Sequence, residues 1–205
     1  MNQVSSLDKT PKTARGRKTQ EKLLQAAEIE FGEKGYHEAA ISGITYRAGV
    51  ALGTFYTYYE SKEEIFRALV SFMSLRTRRW IAERVGDAPD RMIAERKGLE
   101  AYIEFARLHK GIYRIITEAE FVANEEYREH YRGFAKAYEY NLRKARDRNE
   151  IRDGDYEIWS WAIMGMAVTL GIKYAEWDED VPVSVIAESV IDLIEKGMKR
   201  NQGSS

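Results

Sequence analysis

The residues able to carry out catalysis are few and poorly spaced for it. The three histidines, His37, His109 and His130, have no metal-ligand spacing. Glu118 and Glu120 stand two apart on a helical pattern, so they face different ways and cannot act as a paired acid and base. There is no cysteine, which removes thiolate metal sites, disulfides and a Cys nucleophile. No Gly-rich phosphate loop follows a strand, and no serine sits on a strand-turn-helix elbow. The expectation is no enzyme, no metal and no cofactor, with an all-helical hydrolase kept as a third reading. What remains is a cluster of small, aromatic and basic residues between positions 41 and 64, a pattern suited to gripping nucleic acid.

The charge distribution supports that direction. Residues 1–80 carry 13 Lys and Arg against 9 Asp and Glu, a net of +4, while residues 81–205 carry 19 against 24, a net of −5. A basic end is where a polyanion would dock. The three prolines, Pro11, Pro89 and Pro182, all fall at plausible element boundaries, which leaves room for long helices. No stretch reaches the roughly 18 apolar residues of a membrane span. The N-terminus lacks an apolar signal core, so the chain reads as soluble and cytoplasmic.

The elements that must position the cluster are helical throughout. Residues 1–16 read as a disordered basic arm. A helix over about 18–34 places Leu24, Ala27 and Phe31 on one face, closed by Gly35. Two short helices follow, about 40–47 and 52–58. Ser61 with Glu64 forms a capping box for a long helix to about Val85. Further helices are expected over about 91–108, near 112–119, and over 124–148, 156–177 and 183–199. The fold class is all-α with about nine helices. An N-terminal three-helix helix-turn-helix domain over 17–62 precedes a ligand-binding and dimerisation domain over 63–200.

Within the cluster, Ile44 and Ala48 pack the first short helix, and Gly49 occupies a turn that needs positive φ. Val50 and Phe55 pack the second. That leaves Leu52, Thr54, Tyr56 and Tyr58 outward, and Gly53 allows close approach of the backbone to a phosphate. A short helix with such a face suits a major groove.

These residues carry a resemblance to the TetR family. It rests on Ile41, Ile44, Ala48-Gly49-Val50, Gly53-Thr54-Phe55-Tyr56, Tyr59 and Ser61-Lys62-Glu63-Glu64, and runs in order and spacing over residues 18–70. It implies a homodimeric, palindrome-binding transcriptional regulator, by default a repressor. Thr54, Tyr56 and Tyr58 would meet double-stranded operator DNA. Lys62 would pair with a phosphate at the start of the fourth helix, and Arg47 is a further candidate. The chain departs from the family pattern at Ala40, Thr45 and Ala51. Ala51 lacks the capping side chain usual there, a loss of about 1 kcal/mol for the recognition helix.

The second half reads as a sensor. Tyr127, Tyr131, Phe134 and Tyr138 form one stripe. With Tyr102, Phe105, Tyr113 and Ile116 they suit an apolar cavity bearing hydroxyls. The 156–177 helix is apolar nearly all round, and Trp159, Ile163, Met164 and Met166 add to the cavity. By resemblance, the last two helices form the dimer interface. Residues 109–122 are similar to regulators answering to acyl-CoA or other lipophilic acids, with Arg107, Arg114 and Arg128 attracting an anionic headgroup. A hydrophobic drug or aromatic compound, and control of an efflux or degradation operon, is the alternative. A DNA-packaging protein without a pocket is another.

Overall fold

The computed structural model describes residues 11–198, which form nine α-helices and, among those residues, no strand. They are α1 (Ala14–Glu38), α2 (Ile41–Ala48), α3 (Leu52–Tyr58), α4 (Lys62–Val85) and α5 (Arg91–Leu108). Then come α6 (Ile112–Val122), α7 (Asn124–Asp147), α8 (Tyr156–Gly171) and α9 (Val183–Met198). A π-helical turn, Ile172–Trp177, continues α8. Among the described residues no helix is long and apolar enough to cross a membrane. The greater part of the basic arm, residues 1–10, lies outside the described residues.

Two boundaries differ from the sequence expectation. The first helix begins at Ala14 because Thr13 caps it, its Oγ1 accepting from Gly16 N at 3.0 Å. The penultimate helix does not stay α-helical to residue 177. Beyond Gly171 it widens into the π turn, and Arg107 of α5 donates to the carbonyls of Tyr174 at 3.0 Å and Val181 at 2.7 Å. Such wide turns free carbonyls from the i→i−4 ladder, and here a guanidinium takes one of them.

The chain forms two compact units. The first comprises residues up to Met73 together with Gly111–Tyr127; the second comprises Ser74–Lys110 and the chain from Arg128 onward. In the first unit Leu23, Ala27 and Phe31 of α1, Ile44 of α2, Phe55 of α3, and Ile65, Phe66 and Leu69 of α4 are all fully buried. Phe66 packs edge-on to Phe31 at 5.0 Å between ring centroids. The α6 helix lies on α1 in the same unit. Gly32 and Gly111 meet so closely that a Cβ on Gly32 would stand 2.8 Å from the Gly111 Cα. Glu118 accepts from Tyr36 N at 2.7 Å, and Arg114 donates to the Glu33 carbonyl at 2.7 Å.

In the second unit α5 packs against α8 and α9. Leu142 and Ala145 of α7, Ile151, Tyr156, Ile163 of α8 and Ile194 of α9 make a buried cluster. Asp90 and Asp155 cap α5 and α8, accepting from Ile93 N at 2.9 Å and Ile158 N at 3.1 Å.

Candidate functional site

Three helices build the reading head. Gly49 ends α2 in the left-handed conformation, φ 65° and ψ 38°, where a side chain would be strained. The turn is held by Gly49 N donating to Tyr46 O at 3.2 Å and Val50 N to Thr45 O at 3.1 Å. Phe55 anchors α3, fully buried, its ring 5.8 Å from that of Tyr59. The opposite face is open: Leu52 is 51 % exposed and Tyr56 50 %. Thr54 and Tyr58 are half-buried, Tyr58 with its hydroxyl beside the first turn of α1 near Gly16. Neither Ala40 nor Ala51 makes a side-chain cap bond. Tyr46 on α2, 87 % exposed, belongs to the same exposed surface type and was not singled out by the sequence pattern.

Beneath this head sits a carboxylate that periodicity gave no hint of. Glu30 of α1 is fully buried. It accepts from Lys34 Nζ at 2.7 Å, Arg47 Nε at 2.8 Å and Ala40 N at 3.4 Å, the last at the start of α2. Burial pushes its carboxyl up, but the bonds to Lys34 and Arg47 outweigh that and leave it below its ordinary value. Arg47 also reaches Glu33. Gly43 makes room for the carboxylate, because a Cβ there would collide with Glu30 Oε1. Lys62 is likewise engaged within the chain. Its ammonium donates to the carbonyls of His37 and Ala39, each at 3.0 Å, and stands 4.8 Å above the Tyr36 ring. One of its three N–H donors remains.

The second unit holds a partly open cavity of about 470 Å³, inside the range of about 300–1,000 Å³ usual for small-molecule sites. Of the residues the sequence nominated, Tyr102, Tyr131, Phe134, Tyr138, Ile163, Met164 and Met166 line it. Phe105, Tyr113, Ile116, Tyr127 and Trp159 do not. Phe105 is buried between Trp80 at 5.8 Å and His109 at 4.1 Å. Tyr113 and Ile116 travel with α6 into the first unit. Trp159 stacks under Arg152 at 4.6 Å and against Tyr156 at 5.6 Å. Arg107 and Arg114 are bound to backbone carbonyls.

The cavity also has polar members that sequence reasoning passed over: Arg78, Arg91, Glu95, His130 and Asn141. Arg91 and Glu95 form a buried ion pair at 2.7 Å. Burial raises the Glu95 carboxyl by more than Arg91 lowers it. His130 has a buried Nδ1 with no hydrogen-bond partner. Burial and then the nearby Arg78 charge push its pKa down to about 4.

An exposed helix-turn-helix in one unit and a partly open, mostly apolar cavity in the other define a class: a protein with a helical DNA-binding head and a ligand-sized pocket. Comparison with known proteins agrees. The family described as "Bacterial regulatory proteins, tetR family" matches residues 23–69. An HTH-type transcriptional regulator of Bacillus subtilis, YdgC, is 38 % identical over 66 residues, spanning 32 % of this chain and 34 % of that protein. The fatty acid metabolism regulator protein of the same organism is 26 % identical over 184 residues, covering 86 % of this chain and 93 % of that one. The crystal structure of the transcriptional regulator FadR from Bacillus subtilis in complex with stearoyl-CoA superposes with a TM-score of 0.74. It is 19 % identical, over 86 % of this chain and 98 % of that one. The helix-turn-helix segment of the chain, residues 23–69, is of the tetR type.

Proposed function

We propose that this protein is a ligand-responsive transcriptional repressor that binds a palindromic operator as a homodimer and is released by a small lipophilic effector, an acyl-CoA or fatty acid. The observation that carries the reading is the pairing of an outward α3 face, anchored by buried Phe55, with a mostly apolar, ligand-sized cavity in the second unit. A regulator of this kind needs both.

Thr54, Tyr56 and Tyr58 would meet the operator through α3. Lys62 would use its remaining donor on a phosphate at the start of α4, where the helix dipole favours an anion. Arg47 serves mainly to hold the head together. Dimerisation would use α8 and α9, on which Ile158, Trp161, Val185 and Leu193 are between 44 % and 64 % exposed. Such apolar exposure is the mark of a face awaiting cover. A dimer would set two recognition helices roughly 34 Å apart, one DNA turn. Effector would favour the dimer whose heads are wrongly spaced for that separation.

The effector class rests on similarity to a fatty acid metabolism regulator over most of the chain and to a structure holding stearoyl-CoA. The aromatic walls, Tyr102, Tyr131, Phe134 and Tyr138, favour the second reading, an aromatic or drug-like effector. The test is fluorescence anisotropy on an operator selected from random duplexes. Long-chain acyl-CoA or fatty acid should dissociate the complex. Release only by aromatic compounds would select the second reading, and release by neither would remove the sensor role.

A further inference from the structure

The cavity is not uniformly apolar, and its polar groups are not equivalent. Arg91 and Glu95 satisfy one another at 2.7 Å. Arg78 lines the same space, yet no carboxylate of the described residues lies within ion-pair distance of it, and the only carboxylate lining the cavity, Glu95, is already taken. The Arg78 guanidinium lies over α7, 5.8 Å from the Phe134 ring centroid. Gly133 permits this, since a Cβ at that position would collide with Nη1 of Arg78. His130, three residues before Gly133, lines the cavity, and its buried Nδ1 has no hydrogen-bond partner among the described residues. With Nδ1 buried, the imidazole would have to serve a guest in the cavity through Nε2. Two guanidiniums against one carboxylate leave the lining with a net charge of +1. Arg78 is half-buried at the cavity wall, so an anionic guest would meet a guanidinium that no protein carboxylate has neutralised.

Resting on the reading of this cavity as the effector site, we propose that Arg78 and His130 form a receptor for the carboxylate of a lipophilic acid. The effector recognised here is then the free acid rather than its ester or thioester. A carboxylate accepts two N–H bonds from the planar guanidinium and a third from the imidazole. An ester offers one weak carbonyl acceptor and no charge. The tail lies among Leu99, Phe134, Ile163 and Val190, so the polar end is fixed by charge and the remainder by burial.

The test is isothermal titration of the full-length protein with palmitic acid, methyl palmitate and palmitoyl-CoA. The acid should bind roughly ten- to a hundredfold more tightly than its methyl ester, the worth of hydrogen bonds to a charged group. Arg78→Gln should abolish that preference by weakening the acid and leaving the ester unchanged, and Arg78→Lys should keep part of it. The acid-to-ester ratio in the unaltered protein decides the matter even if the variants fold poorly. Equal affinity for acid and ester, or binding of palmitoyl-CoA alone, overturns the carboxylate receptor and leaves the lipophilic-effector reading in place. No binding by any of the three overturns both.

Discussion

Arg47 Nε donates to Glu30 Oε2 at 2.8 Å, across 17 residues of chain. This bond ties the second helix of the reading head to the first, and it converts an arginine that looks available to DNA into part of the scaffold. Arg47→Ala should therefore lower thermal stability by roughly 5 °C or more while reducing operator affinity mainly through the loss of folded protein. Glu30→Gln in the same chain should recover part of the loss, since the buried carboxylate would otherwise keep Lys34 alone as its cation. Thermal melts of the two single variants and the double variant check this. A wild-type melt for Arg47→Ala with weakened DNA binding would restore Arg47 to the DNA surface.

Gly43→Ala should damage the same junction from the other side. The added methyl would overlap the Glu30 carboxylate, and overpacking of this kind costs about 1–3 kcal/mol. Chemical denaturation would register it as a lower midpoint with an unchanged slope.

The recognition helix separates anchoring from reading. Phe55→Ala removes a fully buried ring and should cost about 3–5 kcal/mol of stability. Tyr56→Ala removes a half-exposed one and should leave the melt unchanged while weakening operator binding by about 1–3 kcal/mol. Lys62→Met should do both in moderation. It loses two carbonyl bonds, and it lowers the slope of log affinity against log salt by about 0.9 if its remaining donor meets a phosphate.

These contrasts show what was legible in the sequence. The bounds of α3, the positive φ at Gly49 and the burial of Phe55 follow from residue types at fixed local spacing. So does the Ser61 cap, with Ser61 Oγ accepting from Glu64 N at 3.1 Å and the Glu64 carboxylate reaching back to Glu60 N. Glu30 was not legible: one glutamate on an amphipathic helix reads as surface, and its partner is on another element. The placement of α6 on α1 depends on a Gly32–Gly111 contact that no local period encodes. His130 and Arg78 left a fainter trace. His130, Phe134 and Tyr138 recur every four residues, as do Arg78, Ala82 and, one step off, Val85, so each polar residue heads a stripe that the structure turns to the cavity.

His130 also makes stability depend on pH. Its folded pKa is about 4 against an ordinary value near 6.5, so between those values the unfolded chain takes up a proton that the folded imidazole refuses. Stability is complete above pH 6.5 and falls as pH drops toward 4, by roughly 3 kcal/mol from this group alone. Arg78 is the charged group facing it, and Glu95, paired with Arg91, lies in the same cavity. His130→Phe should flatten this part of the pH–stability curve. An unaltered slope would place the imidazole in contact with water.

The central claim is that α3 reads DNA sequence, and equilibrium affinity at fixed salt tests it most directly. Duplexes selected from a random pool by the full-length protein should converge on a palindrome with half-sites one helical turn apart. That palindrome should bind at least about a thousandfold more tightly than its scrambled sequence. Equal affinity for the two, with no motif emerging from selection, would contradict the account and leave a protein that holds DNA by charge alone.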